Sequence, residues 1–268
     1  MNDDHVTITT DPSGDCVRVY GDRDALCRAA ARELLRVLAE AVSGRGSASA
    51  VLTGGGTGTG ILAALARLLG EEPALDWSRV HLWWGDERHL AAGDPDRNEV
   101  QAAAALVDTL VDGHGMPAGN VHPVPAADGS GPDAAAARYA AELARHAQAD
   151  PGPDPRLPVF DVVMLGVGPD AHVASLFPGL PGPQARDATV IGVEDSPKPP
   201  PLRVSLTLEA LNTARRLWFV VAGLDKQEAV TAVRGARNAK TTDAARWPAS
   251  VVSGAMSTTW WLDGAAAR

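Results

Sequence analysis

Short apolar stretches alternate along the chain with longer segments whose apolar residues recur at helical spacing. The stretches that resemble strands are residues 16–20, 50–53, 80–84, 159–165, 203–206, 217–222 and 260–262. The helical segments are residues 22–42, 61–69, 96–110 and 134–149, with a further helix after each of the strands 203–206 and 217–222. Strands that alternate with helices predict βαβ crossovers, and therefore a mostly parallel sheet with helices on both faces.

A proline-rich segment interrupts this alternation. Residues 149–158 read ADPGPDPRLP, which no helix can cross. The segment is either a boundary between two domains or a long loop within one sheet. The apolar strands on both sides of it favour the loop. We therefore predict one domain over residues 1–268, with a short flexible N-terminus of about ten residues.

Composition and charge exclude several classes of protein. Of the 268 residues, 45% are hydrophobic and 21% are charged, which is ordinary for a globular chain. The net charge of −9 argues against binding to nucleic acid or to an anionic membrane surface. No apolar run approaches about 20 residues, so we predict no membrane span. The N-terminal MNDDH lacks an apolar core, and two cysteines cannot form a disulfide framework, so we predict a reduced, cytoplasmic protein.

The basic residues are strongly biased towards arginine. Only three of the 24 are lysines, namely Lys198, Lys226 and Lys240. Lys198 and Arg203 flank a stiff run of three prolines, and Lys226 precedes a predicted helix, where a cation is electrostatically unfavourable. We interpret Lys198, Arg203 and Lys226 as ligands of a small anion. The alternative for the proline segment is a rigid edge connection with solvated charges, and we expect Lys240 to lie on the surface.

Ligands of parallel α/β proteins bind at the carboxyl ends of the strands, so the loops after strands are the places to look for chemistry. The first is TGGGTGTG at residues 53–60, whose free N–H groups at a helix start predict phosphate binding. It lacks the Gly-Lys-Ser/Thr of a P-loop and the glycine spacing of dinucleotide-binding folds. The alternative is a tight turn that needs glycine for its backbone angles.

Charged and titratable side chains follow two further strands. After residues 80–84 come Asp86, Glu87 and Arg88, which form either a mutual ion pair or a polar site, with Asn98 on the following helix. After residues 159–165 come Asp170 and His172; histidine suits proton transfer near neutral pH, and an aspartate can orient it. Ser175 lacks the G-x-S-x-G context of a serine nucleophile. The histidines show no metal-ligand spacing, so we predict no metal site.

Several segments, in order over about residues 51–262, resemble the 6-phosphogluconolactonase family of the glucosamine-6-phosphate isomerase superfamily. They are WGDER at 84–88, LGVGPDAHVASLFPG at 165–179, SPKPPPLRVSLTLEALNTA at 196–214, VAGLDKQEAV at 221–230 and RWPAS at 246–250. The resemblance implies a Rossmann-like three-layer α/β fold. It also implies hydrolysis of 6-phospho-D-glucono-1,5-lactone to 6-phospho-D-gluconate, in the oxidative pentose phosphate pathway, by a monomer or homodimer that needs no cofactor.

The resemblance also assigns roles to residues. His172 is the expected general base, Asp170 or Glu87 orients its ring, and Arg88 stabilises either the oxyanion or the phosphate. Asp86 is expected to bind sugar hydroxyls. The residues expected to bind the substrate or its phosphate are Gly54, Gly55, Gly56, Thr57, Asp86, Asn98, Gly166, Gly168, Lys198, Arg203 and Lys226.

The chain departs from the family pattern at several positions. Ala171 replaces a glycine, and its methyl is expected either to crowd the substrate or to demand a negative φ. Val173 stands where threonine is usual, Gly56 and Gly58 replace Ser and Pro, and Arg97 replaces a small residue. Alternative functions are glucosamine-6-phosphate deaminase, with Asp86 as the base, a sugar-phosphate-binding regulator without catalysis, and a nucleotide-dependent enzyme. The lactonase motifs disfavour the deaminase, and the lack of a DNA-binding helix disfavours the regulator. The glycine spacing disfavours the nucleotide-dependent enzyme.

Overall fold

A computed structural model describes residues 6–70, 75–150 and 152–268. The strands in these ranges are β1 (Thr7–Thr10), β2 (Cys16–Tyr20), β3 (Ala48–Leu52), β4 (Val80–Trp84), β5 (Asp86–Arg88), β6 (Val162–Leu165), β7 (Val190–Val193), β8 (Arg203–Leu206), β9 (Arg216–Val221) and β10 (Ser257–Asp263). The α-helices are α1 (Arg23–Arg45), α2 (Gly55–Ala66), α3 (Asn98–Ala102), α4 (Asp108–Gly113), α5 (Pro132–Ala147), α6 (Leu208–Leu211) and α7 (Gln227–Ala239). They form a three-layer α/β fold, as predicted.

Seven strands form the main sheet, in the order β1-β2-β10-β9-β6-β3-β4. All neighbours are parallel except β1 and β2. From β3 the chain runs to β4 on one side, whereas β6 lies on the other side. The strand order therefore reverses at β3, and the loops after β3 and β6 flank the crevice where α/β folds bind their ligands.

The inner strands of the main sheet are buried because helices cover them. All five residues of β3 and all four of β6 are buried, which is why their sequences are almost continuously apolar. Helix α1 begins where the Asp22 side chain accepts a hydrogen bond from the Ala25 N–H at 2.7 Å. It ends at Gly46, whose φ of +85° is left-handed.

A second, antiparallel sheet has three strands in the order β5-β8-β7. The sequence predicted β8 as a strand but not this separate sheet. In this sheet Asp86 pairs with Ser205, and Arg88 pairs with Arg203. It therefore joins two loops that the sequence analysis treated separately, the one after β4 and the proline segment before β8.

Several predicted boundaries need correction. Residues 7–10 form an edge strand rather than part of a flexible N-terminus, while residues 1–5 lie outside the described residues. The helix predicted at 96–110 starts at 98 and contains a π-helical turn over Ala103–Val107. The helix predicted at 61–69 begins already at Gly55, inside the glycine loop. None of the helices in the described part of the chain has the length and hydropathy that crossing a membrane requires.

The proline-rich segment does not separate two sheets. The strand that follows it is shorter than predicted, because it begins at Val162 rather than at residue 159. This strand, β6, lies between β3, from before the segment, and β9, from after it. The strands on either side of the segment therefore share one sheet.

Candidate active site

A cleft of about 240 Å³ opens beyond the carboxyl ends of β3, β4 and β6. It brings together loops that are far apart in the sequence, as the strand order requires. Eleven of the predicted site residues line it: Gly54, Gly55, Asp86, Arg88, Asn98, Gly166, Gly168, His172, Lys198, Arg203 and Lys226. Thr53, Val167, Ala174 and Pro199 complete the wall.

The glycine loop forms the start of α2. Gly54 is the N-cap residue and no side chain caps the helix, so the first N–H groups of α2 have no side-chain partner there. Gly55 has a φ of +80°, which favours glycine. A Cβ on Gly54 would lie 1.9 Å from Asn98 Oδ1, so only glycine lets the loop approach that side chain. The loop therefore presents backbone N–H groups to the cleft, as an anion site needs.

His172 is held by Asp170. The Nδ1 atom of His172 lies 2.5 Å from Asp170 Oδ1, and the ring lies against Phe177 at 4.5 Å between centroids. Since Asp170 occupies Nδ1, the imidazole has Nε2 for the substrate. Partial burial is the largest effect and acts to raise the pKa of Asp170. The hydrogen bond and charge of His172, together with a backbone hydrogen bond and the charge of Lys198, outweigh it, so the pKa is lowered. Asp170 therefore stays an anion that fixes the ring, and it does so from outside the cleft wall.

Asp86 is buried and firmly positioned. Its Oδ2 accepts a hydrogen bond from Ser175 Oγ at 2.7 Å and lies 4.0 Å from Arg203 Nη1. Asn98 donates from Nδ2 to the Asp86 carbonyl at 2.9 Å. The buried Oδ1 of Asn98 has no hydrogen-bond partner within the described ranges, so the site offers an unused acceptor beside the glycine loop.

Glu87 lies away from the cleft. Its carboxylate accepts hydrogen bonds from the backbone N–H groups of Arg88, Asn98 and Glu99 at 2.7–2.9 Å. Burial raises the pKa of this carboxyl to about 7, while those N–H donors and the nearby Arg97 act in the opposite direction. Of the two carboxylates expected to orient His172, Asp170 makes the contact, and Glu87 instead holds the start of α3.

Arg88 enters the cleft from a braced segment. Its Nη1 donates to the Asp96 carbonyl at 2.6 Å, while its buried Nε has no hydrogen-bond partner in the described structure. The Arg88 carbonyl in turn accepts from Arg97, which is fully buried and also donates to Val124 O at 2.6 Å. Arg97, noted from sequence only as a departure from the family, therefore ties the Arg88 segment to the rest of the fold.

Three cations surround one end of the cleft. Arg203 donates from Nε to Pro200 O and from Nη2 to the carbonyls of Lys198 and Pro199, at 3.0–3.1 Å. Its guanidinium therefore holds the proline segment in place. Lys226 Nζ lies 2.9 Å from Asp225 Oδ2. Burial lowers the pKa of Lys198, and the charges of Lys226 and Arg203 lower it further, against the opposing effect of Asp170. Such crowding of like charges indicates a site for an anion.

Four predicted site residues are not on the cleft wall, namely Asp170, Glu87, Gly56 and Thr57. Gly56 and Thr57 lie in the first turn of α2 instead. The sequence analysis missed Ser175 as the partner of Asp86, since it considered that serine only as a nucleophile. The position of Ser175 three residues after His172, within the same motif, was the sequence feature that could have indicated a role in the site.

Comparisons with known proteins agree with this site. Residues 21–261 match the sequence model of the family described as glucosamine-6-phosphate isomerases/6-phosphogluconolactonase. The chain belongs to this family. It is 48% identical over 253 residues to a 6-phosphogluconolactonase of Streptomyces coelicolor, which covers 93% of this chain and 92% of that protein. A 6-phosphogluconolactonase of Mycobacterium tuberculosis is 41% identical, over 92% and 95% of the two chains.

A solved structure of 6-phosphogluconolactonase from Thermotoga maritima is also similar to this fold. Its TM-score against this chain is 0.72 at 27% sequence identity, and the match covers 92% of this chain and 97% of that one. The family likeness therefore extends over nearly the whole chain, in sequence and in three dimensions.

Ala171 keeps the left-handed backbone that the family's glycine allows. Its φ is +65°, and its side chain is buried outside the cleft wall. The expectation of a negative φ is therefore wrong, and the Ala171 methyl does not line the cleft. Val173 is likewise fully buried and belongs to the core. The two departures in the His172 motif are therefore residues of the core and not of the cleft wall.

Proposed function

We propose that this protein hydrolyses 6-phospho-D-glucono-1,5-lactone to 6-phospho-D-gluconate, as the relatives' names indicate for them. One structural observation supports the proposal independently of the similarity to these relatives. The Asp170-oriented His172 and the cations Lys198, Arg203 and Lys226 serve a single cleft beside the start of α2. A base and a dianion site within one cleft fit a phosphorylated substrate with a hydrolysable bond.

The reaction needs only a delivered water, because a δ-lactone is an activated ester. His172 Nε2 takes a proton from the water as its oxygen attacks the lactone carbonyl carbon. The resulting tetrahedral oxyanion collapses, the bond from the carbonyl carbon to the ring oxygen breaks, and His172 returns the proton to that oxygen. Asp170 holds the ring in the tautomer that this requires, with the proton on Nδ1.

The substrate is held by charge at one end and by hydrogen bonds along the sugar. Lys198, Lys226 and the N–H groups at Gly54 and Gly55 bind the 6-phosphate, and Arg203 shapes the segment that carries Lys198. Asp86, fixed by its hydrogen bond from Ser175, and the free Oδ1 of Asn98 accept hydrogen bonds from sugar hydroxyls.

The test is a coupled assay in which fresh lactone is generated enzymatically and 6-phosphogluconate formation is followed above the spontaneous rate. His172→Ala should lower kcat by about 10²–10⁴-fold while leaving 6-phosphogluconate binding intact. A kcat within about threefold of the wild type would remove His172 from the chemistry. Ammonia release from glucosamine 6-phosphate would instead identify a deaminase, and binding without turnover a regulator.

Arg88 has two candidate roles that kinetics can separate. If it stabilises the oxyanion, Arg88→Ala should lower kcat with little effect on KM. If it binds the phosphate, the same variant should raise KM, as Arg203→Ala should. We also propose a cytoplasmic location, which the free thiols of Cys16 and Cys27 support.

A further inference from the structure

Three histidines meet near the start of β4, whose other end faces the cleft. His81 lies on β4, His122 follows Val121, and His146 lies in the last turn of α5. Each offers one ring nitrogen, and these three atoms lie within 4.8 Å of one another. The 41 and 24 residues that separate the three in sequence explain why a search for metal-ligand spacing did not find them.

The rings are arranged so that their nitrogens converge. His81 Nδ1 and His122 Nε2 are 3.0 Å apart. On the other side of its ring, His122 Nδ1 lies 3.1 Å from Glu142 Oε1. The carboxylate therefore fixes the proton on Nδ1 and leaves the lone pair of Nε2 directed towards His81. A carboxylate bound to the remote nitrogen of a histidine is the usual outer partner of a metal-ligating imidazole.

The cluster sits on a rigid support. His122 is buried and stacks on Trp83 with 3.8 Å between ring centroids and 13° between planes. His146 meets His122 edge to face at 4.3 Å. Glu142 and His146 are one helical turn apart on α5, which also places the carboxylate 3.2 Å from His146 Nε2. The positions of these donors are thus set by a strand, a helix and an aromatic stack.

We propose that His81, His122 and His146 bind one divalent transition-metal ion of the zinc class, with Glu142 as their carboxylate partner. Imidazole nitrogens are preferred ligands of such ions, and three of them leave a fourth position for water or a carboxylate oxygen. Zinc–nitrogen bonds of about 2.0–2.1 Å in a tetrahedron place ligand nitrogens about 3.3 Å apart. The observed spacings are close to this value, since His81 Nδ1 and His122 Nε2 are 3.0 Å apart and all three donor atoms lie within 4.8 Å of one another.

One charge opposes the ion. Arg145 Nη2 lies 3.0 Å from His146 Nε2 and 2.6 Å from Glu142 Oε1. The Arg145 side chain is 64% exposed, so it can turn into solvent when a cation enters. The bound ion would join β4, the segment after Val121 and the end of α5. His81 is the second residue of β4, whereas the cleft opens beyond the carboxyl end of that strand, so this ion would stabilise the fold without reaching the lactone.

The experiment is a calorimetric titration of the full chain with Zn²⁺, repeated with Co²⁺ and read by visible absorption. We expect one ion per chain, a tetrahedral Co²⁺ spectrum, and a higher Tm in the presence of Zn²⁺. His146→Ala should weaken Zn²⁺ binding at least tenfold and abolish the rise in Tm. His114→Ala, at an exposed histidine outside the cluster, should change neither.

A second variant tests the site without removing a ligand. Arg145→Gln takes away the opposing charge, so it should tighten Zn²⁺ binding severalfold. Equal Zn²⁺ affinity in the wild type, His146→Ala and Arg145→Gln would overturn the proposal. Loss of binding in His172→Ala instead would move the ion to the catalytic cleft and overturn it as well. Both results are independent of whether the chain hydrolyses the lactone.

Discussion

A single methyl group at Gly168 should disable the catalytic pair. A Cβ built there would lie 2.0 Å from His172 Nδ1, 2.1 Å from its Cε1 and 2.5 Å from Asp170 Oδ1. The φ of Gly168 lies outside the left-handed region, so its backbone accepts alanine without strain. The effect of Gly168→Ala is therefore a contact between the new methyl and the imidazole, with no backbone contribution.

The size of the effect follows from these distances. Non-bonded carbon and nitrogen atoms prefer about 3.5 Å, so the ring must retreat by about 1.5 Å. That displacement breaks the 2.5 Å contact between His172 and Asp170. A misplacement of about 1 Å costs roughly 10²-fold in rate, so kcat should fall by about 100-fold or more. KM should change little, because the lysines of the phosphate site lie on other loops.

The assay is the coupled lactonase measurement, with Gly166→Ala as a matched control. A Cβ on Gly166 meets nothing within 4 Å, and its φ also lies outside the left-handed region. Since the new methyl would not contact His172, Gly166→Ala should keep kcat within about threefold. Because Gly166 lines the cleft, only KM is expected to change. A wild-type kcat in Gly168→Ala, with an unchanged Tm, would show that the position of His172 does not matter to the reaction.

Three further variants test individual groups. Ala171→Gly should relieve about 1 kcal/mol of left-handed backbone strain. It should also lose about 0.8 kcal/mol of methyl burial and increase the entropy of the unfolded chain. These effects nearly cancel, so the free energy of unfolding in urea should change by less than about 1 kcal/mol. The pKa of Lys198 is lowered, so calorimetry should show weaker 6-phosphogluconate binding as the pH rises and Lys198 loses its proton. Lys198→Arg should retain binding over the same pH range. The same pH dependence of binding in the wild type and the variant would contradict this. The folded-state pKa of Glu87 is about 7, above the ~4.3 of an unfolded glutamate, so its contribution to stability is complete below about pH 4 and declines towards pH 7. The unfolding free energy of the wild type minus that of Glu87→Gln should therefore fall by up to about 3 kcal/mol across this window, and a constant difference would refute it.

The main sheet could be predicted because its strands are buried on both faces. Strands such as β6 are then wholly apolar and stand out from the helices between them. The same logic located the cleft, since parallel strands end at one edge of the sheet. Short strands with polar sequences escaped this pattern. The exposed edge strand β1 has the sequence TITT, and β5 consists of Asp86, Glu87 and Arg88, so neither carries an apolar signature.

Contacts within the site were harder to predict than its location. Ser175 donates to Asp86 across 89 residues of sequence. The Ser175 N–H also donates to Ser205 Oγ, and Ser205 pairs with Asp86 between β8 and β5, a pairing that no local sequence pattern predicts. Glu87 and Asp170 were equivalent candidates to orient His172, because both are carboxylates next to site residues. The folded backbone distinguishes them, because it places the Glu87 carboxylate at the N–H groups of α3 and the Asp170 carboxylate at the His172 imidazole.

The scarcity of lysine acquires a physical meaning in the cleft. Lys198 and Lys226 both line it, whereas Lys240 is exposed at the end of α7. The two arginines of the cleft make hydrogen bonds to backbone carbonyls, Arg203 to three and Arg88 to one. A guanidinium suits this role because its donors form a fixed planar fork. We therefore expect the ammonium groups of Lys198 and Lys226, as compact point charges on flexible stems, to bind the phosphate, while Arg203 holds the proline segment that carries Lys198.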